Sequence, residues 1–453
     1  MAPSATYTCG VPAPETSPRT HRRLPWERIG LAGLALAVAS VGVFLVAPAV
    51  EEQSAPDVRA EFQALLDSWA DAVRTADSAA LAEVVDAAAG PELLEAEIRR
   101  AQALSGVPLT EFGYELGIEP AADVPDGVVR RFGDDPVLAL TVSLRYGIEG
   151  VDEAPTHKPV VVLVVERSDG WKIASDRPLP DSASVTWRGP WDHGPLDVRI
   201  AETAGGTSTI LAHPDRAALA EDIADELPSA VDAVSDVWGT DWPEQALVLV
   251  TSSRDEFTDQ VGTAHNGDEI AAVAISDAVD PEHGQATGRR IVFSPAAGSR
   301  LSREGLRAVL RHELTHIAAR PQTVDGSPMW ILEGYADHIG YRSDAGSPVT
   351  GTDLRRIAPN LAVEVSRNGA PSQIPTDDDF ADPVRSRIAY ETAWSLATFL
   401  AEEYGEDELT SLYRTLADGP VSEAGQSDAF TATVGVSAAD VVDRWGDWLT
   451  DLV

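Results

Sequence analysis

The chain has 453 residues, 44% of them hydrophobic, with 73 Asp and Glu against 34 Lys and Arg and a formal net charge of −39. That much apolar sequence supports proper cores, and the length allows two or more domains. So strong a negative field repels polyanions, which excludes nucleic acid and anionic lipid surfaces as binding partners.

Taken in order, residues 29–50 run for 22 positions without a charge and are rich in Leu, Val and Ala. As a helix this stretch crosses a hydrocarbon core of about 30 Å, so a transmembrane helix is predicted over 29–49. A long signal peptide cleaved near Ala47–Ala49 is the alternative reading. Arg19, Arg22, Arg23 and Arg28 precede the span against only Glu15 and Glu27. The positive-inside rule therefore makes 1–28 a cytoplasmic tail and places the rest outside a cell membrane crossed once. The single cysteine, Cys9, lies in the tail, so the exported part has no disulfide and depends on burial for stability.

A first domain is predicted over 57–178. Phe62, Leu65, Leu66, Trp69 and Val73 recur at helical spacing between Asp57 and Thr75, and Ala79–Ala89 and Pro91–Leu104 continue the helical pattern. Strands follow: Leu138–Tyr146 alternates, Val160–Val165 is a solid apolar run, and Asp169-Gly170 turns the chain into Trp171–Ala174. Helices first and an antiparallel sheet after them make an α+β plan. With the phrase Ser-Trp-Ala-Asp-Ala-Val-Arg-Thr-Ala-Asp-Ser-Ala-Ala-Leu at 68–81, this order resembles the NTF2-like cone domains found beside membrane anchors. No catalytic cluster is visible in it, and the role expected of it is a spacer or regulatory module.

A junction rich in Pro and Trp, 178–195, separates this part from a second domain over 190–453. There, Asp197–Ala201 and Thr209–Ala212 read as a hairpin, Arg216–Trp238 and Asp255–Gly262 as helices, and Ala246–Thr251, Ile270–Ser276 and Arg290–Ser294 as strands. Ser302–Arg320 reads as one helix with a serine cap and Pro321 as its stop. Leu306, Val309, Leu310 and Ile317 form its apolar stripe, and Glu313 falls in the middle of that stripe. A carboxylate buried there costs several kcal/mol unless paired, so a cation is expected against this face.

His312 and His316, one turn apart, supply the nitrogens, and the ion expected is Zn2+. Glu333, on the next amphipathic stretch, adds the third ligand that a catalytic zinc needs and leaves a fourth position for water. His-Glu-x-x-His followed by Trp-x-x-Glu-Gly-x-Ala resembles the gluzincin metallopeptidases. The resemblance implies a mixed sheet and a mainly helical C-terminal half, with a strand edge beside the zinc helix that receives a peptide by backbone pairing. It also implies Glu313 as general base, and Asp337 as a carboxylate that orients a ligand histidine. The stretch 386–405 is similar to the downstream helix of peptidase-MA-like proteins, which implies that Tyr390 is an oxyanion donor. The Gly-x-Met-Glu-Asn signature of the clan's aminopeptidases is absent, which leaves an endopeptidase acting on peptide or protein substrates. The competing reading is a non-catalytic zinc-binding envelope protein on the same scaffold. Thr376–Asp382 reads as a solvated acidic loop.

Overall fold

The computed structural model describes residues 55–118, 123–263, 270–280, 283–343 and 346–453. The predicted transmembrane helix at 29–49 and the tail before it lie outside the described residues. Among the described residues, no helix is long and apolar enough to cross a membrane. The architecture is α+β, with an antiparallel sheet first, a mixed sheet next, and a mainly helical C-terminal half.

The first part opens with α1 (Ala55–Arg74), α2 (Ser78–Val84) and α3 (Pro91–Leu104). The second helix stops short of its predicted end because Val85 bridges Ile173, and the Asp86 N–H donates to the Ile173 carbonyl at 2.8 Å. Four strands follow in the order β1 (Leu109–Leu116), β2 (Val137–Ile148), β3 (Thr156–Arg167) and β4 (Gly170–Ser175), all antiparallel. Strand β1 was not anticipated, although Phe112 and Tyr114 alternate with Glu111 and Glu115 as a half-buried strand requires. The solid apolar run of β3 has its reason in burial of both faces. Val160, Val162 and Val164 pack with Phe62, Leu66, Trp69 and Val73 of α1, and Val161, Leu163 and Val165 pack with Phe132 and Leu179 on the other side.

The second sheet has five strands in the order β5 (Asp197–Thr203), β6 (Gly206–Ala212), β7 (Leu247–Val250), β11 (Arg290–Phe293) and β8 (Ala272–Ile275). Pairing is parallel between β6 and β7 and between β7 and β11, while β8 runs antiparallel to β11 at the end of the sheet. Between them, β9 (Ala278–Asp280) and β10 (Gln285–Thr287) form a separate hairpin that the sequence pattern did not disclose.

Both faces of this sheet are covered. Ile210, Val248, Val250, Ile291 and Phe293 face α4 (Ala217–Trp238) and α6 (Arg303–Ala319), the helix that carries the His-Glu-x-x-His motif. On the opposite face, Leu211, Leu247, Leu249, Val273 and Val292 belong to the same core cluster as Phe112, Tyr146 and Ile148 of the first sheet, with Trp191 between them. The Trp191 ring stands edge-on to Tyr146 at 5.1 Å and to Phe112 at 6.0 Å. The junction therefore carries a shared core.

After α6 come α7 (Met329–Tyr341), α8 (Gly351–Ile357), α9 (Pro359–Asn368), α10 (Asp377–Ala381), α11 (Ser386–Tyr404), α12 (Glu406–Leu416), α13 (Glu423–Val434) and α14 (Ala438–Leu452). The acidic stretch Thr376–Asp382, expected as a loop, is where α10 forms. Thr376 and Asp379 make a capping box, Asp379 and Asp382 pair with Arg385, and Asp377 accepts the Met329 N–H at 2.9 Å to cap α7.

Two predictions follow from this packing. A fragment of residues 190–453 alone uncovers five large aliphatic side chains whose burial is worth roughly 1.5–3 kcal/mol each. It is expected to be insoluble or to bind a hydrophobic dye, whereas a soluble fragment with a cooperative melt would contradict the shared core. The second concerns His213, at the end of β6. Its Nδ1 faces the Pro195 carbonyl and its Nε2 faces Glu256 of the short helix α5 (Arg254–Val261), each at 2.9 Å. Only the imidazolium donates to both acceptors. Burial opposes the charge, but the hydrogen bond and charge of Glu256 outweigh it and raise the His213 pKa above its ordinary value. The stabilisation is thus complete below pH about 6.5 and fades as pH rises through the raised folded-state value. Urea unfolding of the protein and of His213→Gln across roughly pH 5.5–9 should show the gap between them narrowing with rising pH.

Candidate metal centre

Helix α6 starts where Ser302 accepts the Gly305 N–H at 3.1 Å, and it is buried almost throughout. Helix α7 returns antiparallel beside it, bringing residues 333 and 337 level with 316 and 312. Two glycines permit this closeness. A Cβ at Gly340 would sit 2.9 Å from the Ala308 carbonyl oxygen of α6, and one at Gly334 would sit 2.5 Å from the Ala393 carbonyl oxygen of α11. Helix α7 is thereby held close against both α6 and α11.

His312, His316 and Glu333 are buried and place ligand atoms within 4.8 Å of one another. The two Nε2 atoms are 3.1 Å apart, and they lie 3.5 and 3.8 Å from the Glu333 oxygens. A tetrahedral zinc with bonds of about 2.05 Å separates its ligand atoms by roughly 3.3 Å, so the three donors fit that ion. His312 Nδ1 donates to Asp337 Oδ1 at 2.8 Å, which fixes the tautomer and leaves the Nε2 lone pair directed at the centre.

Glu313 projects from α6 toward the sheet and is fully buried. Its Oε2 accepts the Ala274 N–H of β8 at 2.7 Å, and its Oε1 has no hydrogen-bond partner among the described residues. Burial pushes this carboxyl up to about 8, with Glu333 adding to the rise and His312 opposing it. His316 is pushed down by burial and by the charges of His312 and Arg320. His312 moves the other way, because Asp337 outweighs the cost of burial. Two buried carboxylates facing two imidazoles form a centre whose charge balance favours a cation.

Strand β8 is held at three places. Besides Glu313 at Ala274, Arg320 Nε donates to Ser276 Oγ at 3.3 Å from the far end of α6. Asp277 then pairs with Lys158 of β3 and, at 3.1 Å, with Arg290, whose guanidinium also donates to the Tyr146 hydroxyl of β2. The first sheet thus reaches the exit of the strand that flanks the metal centre.

Tyr390 lies in the second turn of α11, buried, with Phe380 edge-on at 5.0 Å. Helices α7 and α11 run in the same direction, since Gly334 meets Ala393 and His338 meets Thr398. His338, also on α7, has its Nδ1 3.2 Å from Thr398 Oγ1 of α11 and its Nε2 3.8 Å from Glu406. Sequence reading missed Ala274 as the backbone donor to Glu313, because a strand four residues long does not reveal which of its N–H groups is unpaired.

No family model matches the chain, and no curated protein matches it. Among solved structures, it is similar to an M1 zinc metallopeptidase from Deinococcus radiodurans, solved as a mutant with a Tyr-Ser-Ala substrate. Identity is 12%, the TM-score is 0.34, and the match covers 69% of this chain and 90% of that one. A two-domain M1 zinc metallopeptidase mutant bound to L-tryptophan gives 14% identity and a TM-score of 0.35, with coverage of 69% and 60%. Aminopeptidase A of Legionella pneumophila, in complex with aspartic acid, gives 11% and 0.33; 56% of this chain matches, spanning only 28% of that enzyme. The structural similarity to M1 zinc metallopeptidases is distant.

Loss of the Asp337 carboxylate should loosen the centre without unfolding it. Asp337→Asn is expected to weaken zinc binding 10–100-fold in a competition titration with a chromogenic chelator. An unchanged zinc affinity would show that Asp337 does not support His312.

Proposed function

We propose that this chain is a zinc-dependent peptidase, acting as an endopeptidase outside the cytoplasm and tethered to the cell membrane through residues 29–49. The observation that carries the reading is the buried triad of His312, His316 and Glu333 with Glu313 beside it, next to the end strand of a sheet. A zinc ion held by the triad would acidify a water and polarise the scissile carbonyl.

The chain's own groups do the rest. Asp337 keeps His312 in the ligating tautomer. Glu313, whose burial raises its proton affinity, takes a proton from the attacking water and passes it to the leaving amine. The Tyr390 hydroxyl donates to the oxyanion that develops on the carbonyl. Substrate backbone pairs with β8. Its ladder geometry supports this, because Ser294 N–H bonds to the Ala271 carbonyl at 2.9 Å, so the alternate residues Ala272 and Ala274 turn their backbone groups away from β11, with the Ala274 N–H taken by Glu313. The strand reads Ala-Val-Ala-Ile and has no carboxylate to hold a free amino terminus, which supports cleavage within a chain.

Turnover of a broad peptide library by the zinc-loaded protein tests the proposal. Glu313→Gln should retain zinc and lose turnover. Tyr390→Phe removes one hydroxyl, and an oxyanion donor is worth roughly 2.7–4 kcal/mol, so turnover should fall by about two to three orders of magnitude with the melting temperature nearly unchanged. No cleavage by the wild-type protein would reject the peptidase reading, and activity within a few-fold in Tyr390→Phe would make that tyrosine a packing residue.

A further inference from the structure

A cavity of about 650 Å3 opens between α3, the end of β4 and the turn at Pro190–Asp192, and none of the metal-centre residues lines it. The volume is in the range of small-molecule sites. Its floor is a closed ionic network. The buried Arg100 donates to Glu97 at 2.9 Å, to Asp176 at 2.6 Å and to Asp192 at 2.6 Å. Arg188 adds a second cation to Asp176 at 3.1 Å. Burial works against the Asp176 charge, but Arg100 and Arg188 outweigh it and hold this carboxyl below the ordinary range. The floor carboxylates are thus each paired with a guanidinium.

The mouth is different. Arg99, Arg131 and Arg177 stand on it, all exposed. Arg99 has one loose pair, 3.8 Å from the exposed Glu95, while Arg131 and Arg177 make no ion pair among the described residues. Of the carboxylates that line the cavity, only Glu92 stands outside the floor network. In a chain of net charge −39, this is a local reversal of sign. The protein's overall field does not cancel it, because that field is screened within about 8 Å at physiological ionic strength. Guanidinium forks match the paired oxygens of carboxylates and phosphates, and apolar walls from Leu93, Ala96 and Ala174 accommodate a carbon frame.

We propose that this cavity binds a small organic anion through a carboxylate or phosphate group held by Arg131 and Arg177. The site is independent of the metal centre and of the peptidase reading. Its test is calorimetric titration of the full-length protein in detergent with citrate and with inorganic phosphate, at constant ionic strength set by chloride. Saturable binding is expected, weakened at least about tenfold in the double variant Arg131→Gln/Arg177→Gln and retained in His312→Ala, which separates it from anion capture at zinc. Saturation by phosphate alone assigns a phosphoryl ligand, and saturation by citrate alone a polycarboxylate. The proposal falls if neither probe saturates, if the double variant binds as tightly as the wild type, or if binding disappears with His312→Ala.

Discussion

Two fully buried carboxylates, Glu313 and Glu333, lie close to the His312 imidazole. Left without a cation, each charge costs several kcal/mol, and neutralising them by protonation means lifting their pKa values, as burial already does to Glu313. A divalent ion removes that conflict in one step. The surrounding structure follows from the need to bring those groups together: Gly340 lets α7 approach α6, Gly334 lets α11 approach α7, and Asp337 fixes the ring that both helices share. A larger side chain at either glycine would meet a backbone oxygen, and Glu333 would be displaced from the histidines.

The mixed sheet imposes a second constraint. Its inner strands are apolar on both faces, so it needs two covers. Helices α4 and α6 supply one, and the first sheet with Trp191 supplies the other. An ion pair between Lys158 and Asp277 and a hydrogen bond from Arg290 to the Tyr146 hydroxyl cross the same boundary. A part expected from its sequence to be a spacer or regulatory module therefore shares a core with the part that carries the candidate metal centre.

What the sequence disclosed and what it concealed divide along physical lines. Helix α6, its serine cap, the alternation of β2 and the bounds of α3 depend on local periodicity and capping, and they stand close to where the pattern placed them. His312, His316 and Glu333 were legible because helical spacing alone fixes two of them and the third is one helix away. Strand β1 was not anticipated although its eight residues carry their own alternation, whereas the β9–β10 hairpin was hidden because it pairs only three residues a side. Asp377 as the cap of α7 was hidden because it lies 48 positions from Met329. The edge identity of β8 was equally hidden, since it depends on strand order rather than on any residue within the strand.

Knowing the edge changes how the site works as a unit. The Ala274 N–H that points off the sheet is the group that Glu313 accepts from, so the proposed base and the proposed substrate strand are joined by one hydrogen bond of 2.7 Å. A buried N–H left without a partner costs about 1–3 kcal/mol. Glu313 cannot swing toward a water unless one of its oxygens stays with Ala274 or an incoming peptide carbonyl replaces it. Its two oxygens allow the first course: Oε2 remains on the strand while Oε1, which has no hydrogen-bond partner among the described residues, serves the proton. In the peptidase reading, the edge strand thus orients the base as well as the substrate. That also gives a physical reason for fixing β8 beyond its own four residues, through Arg320 at Ser276 and through Lys158 and Arg290 at Asp277.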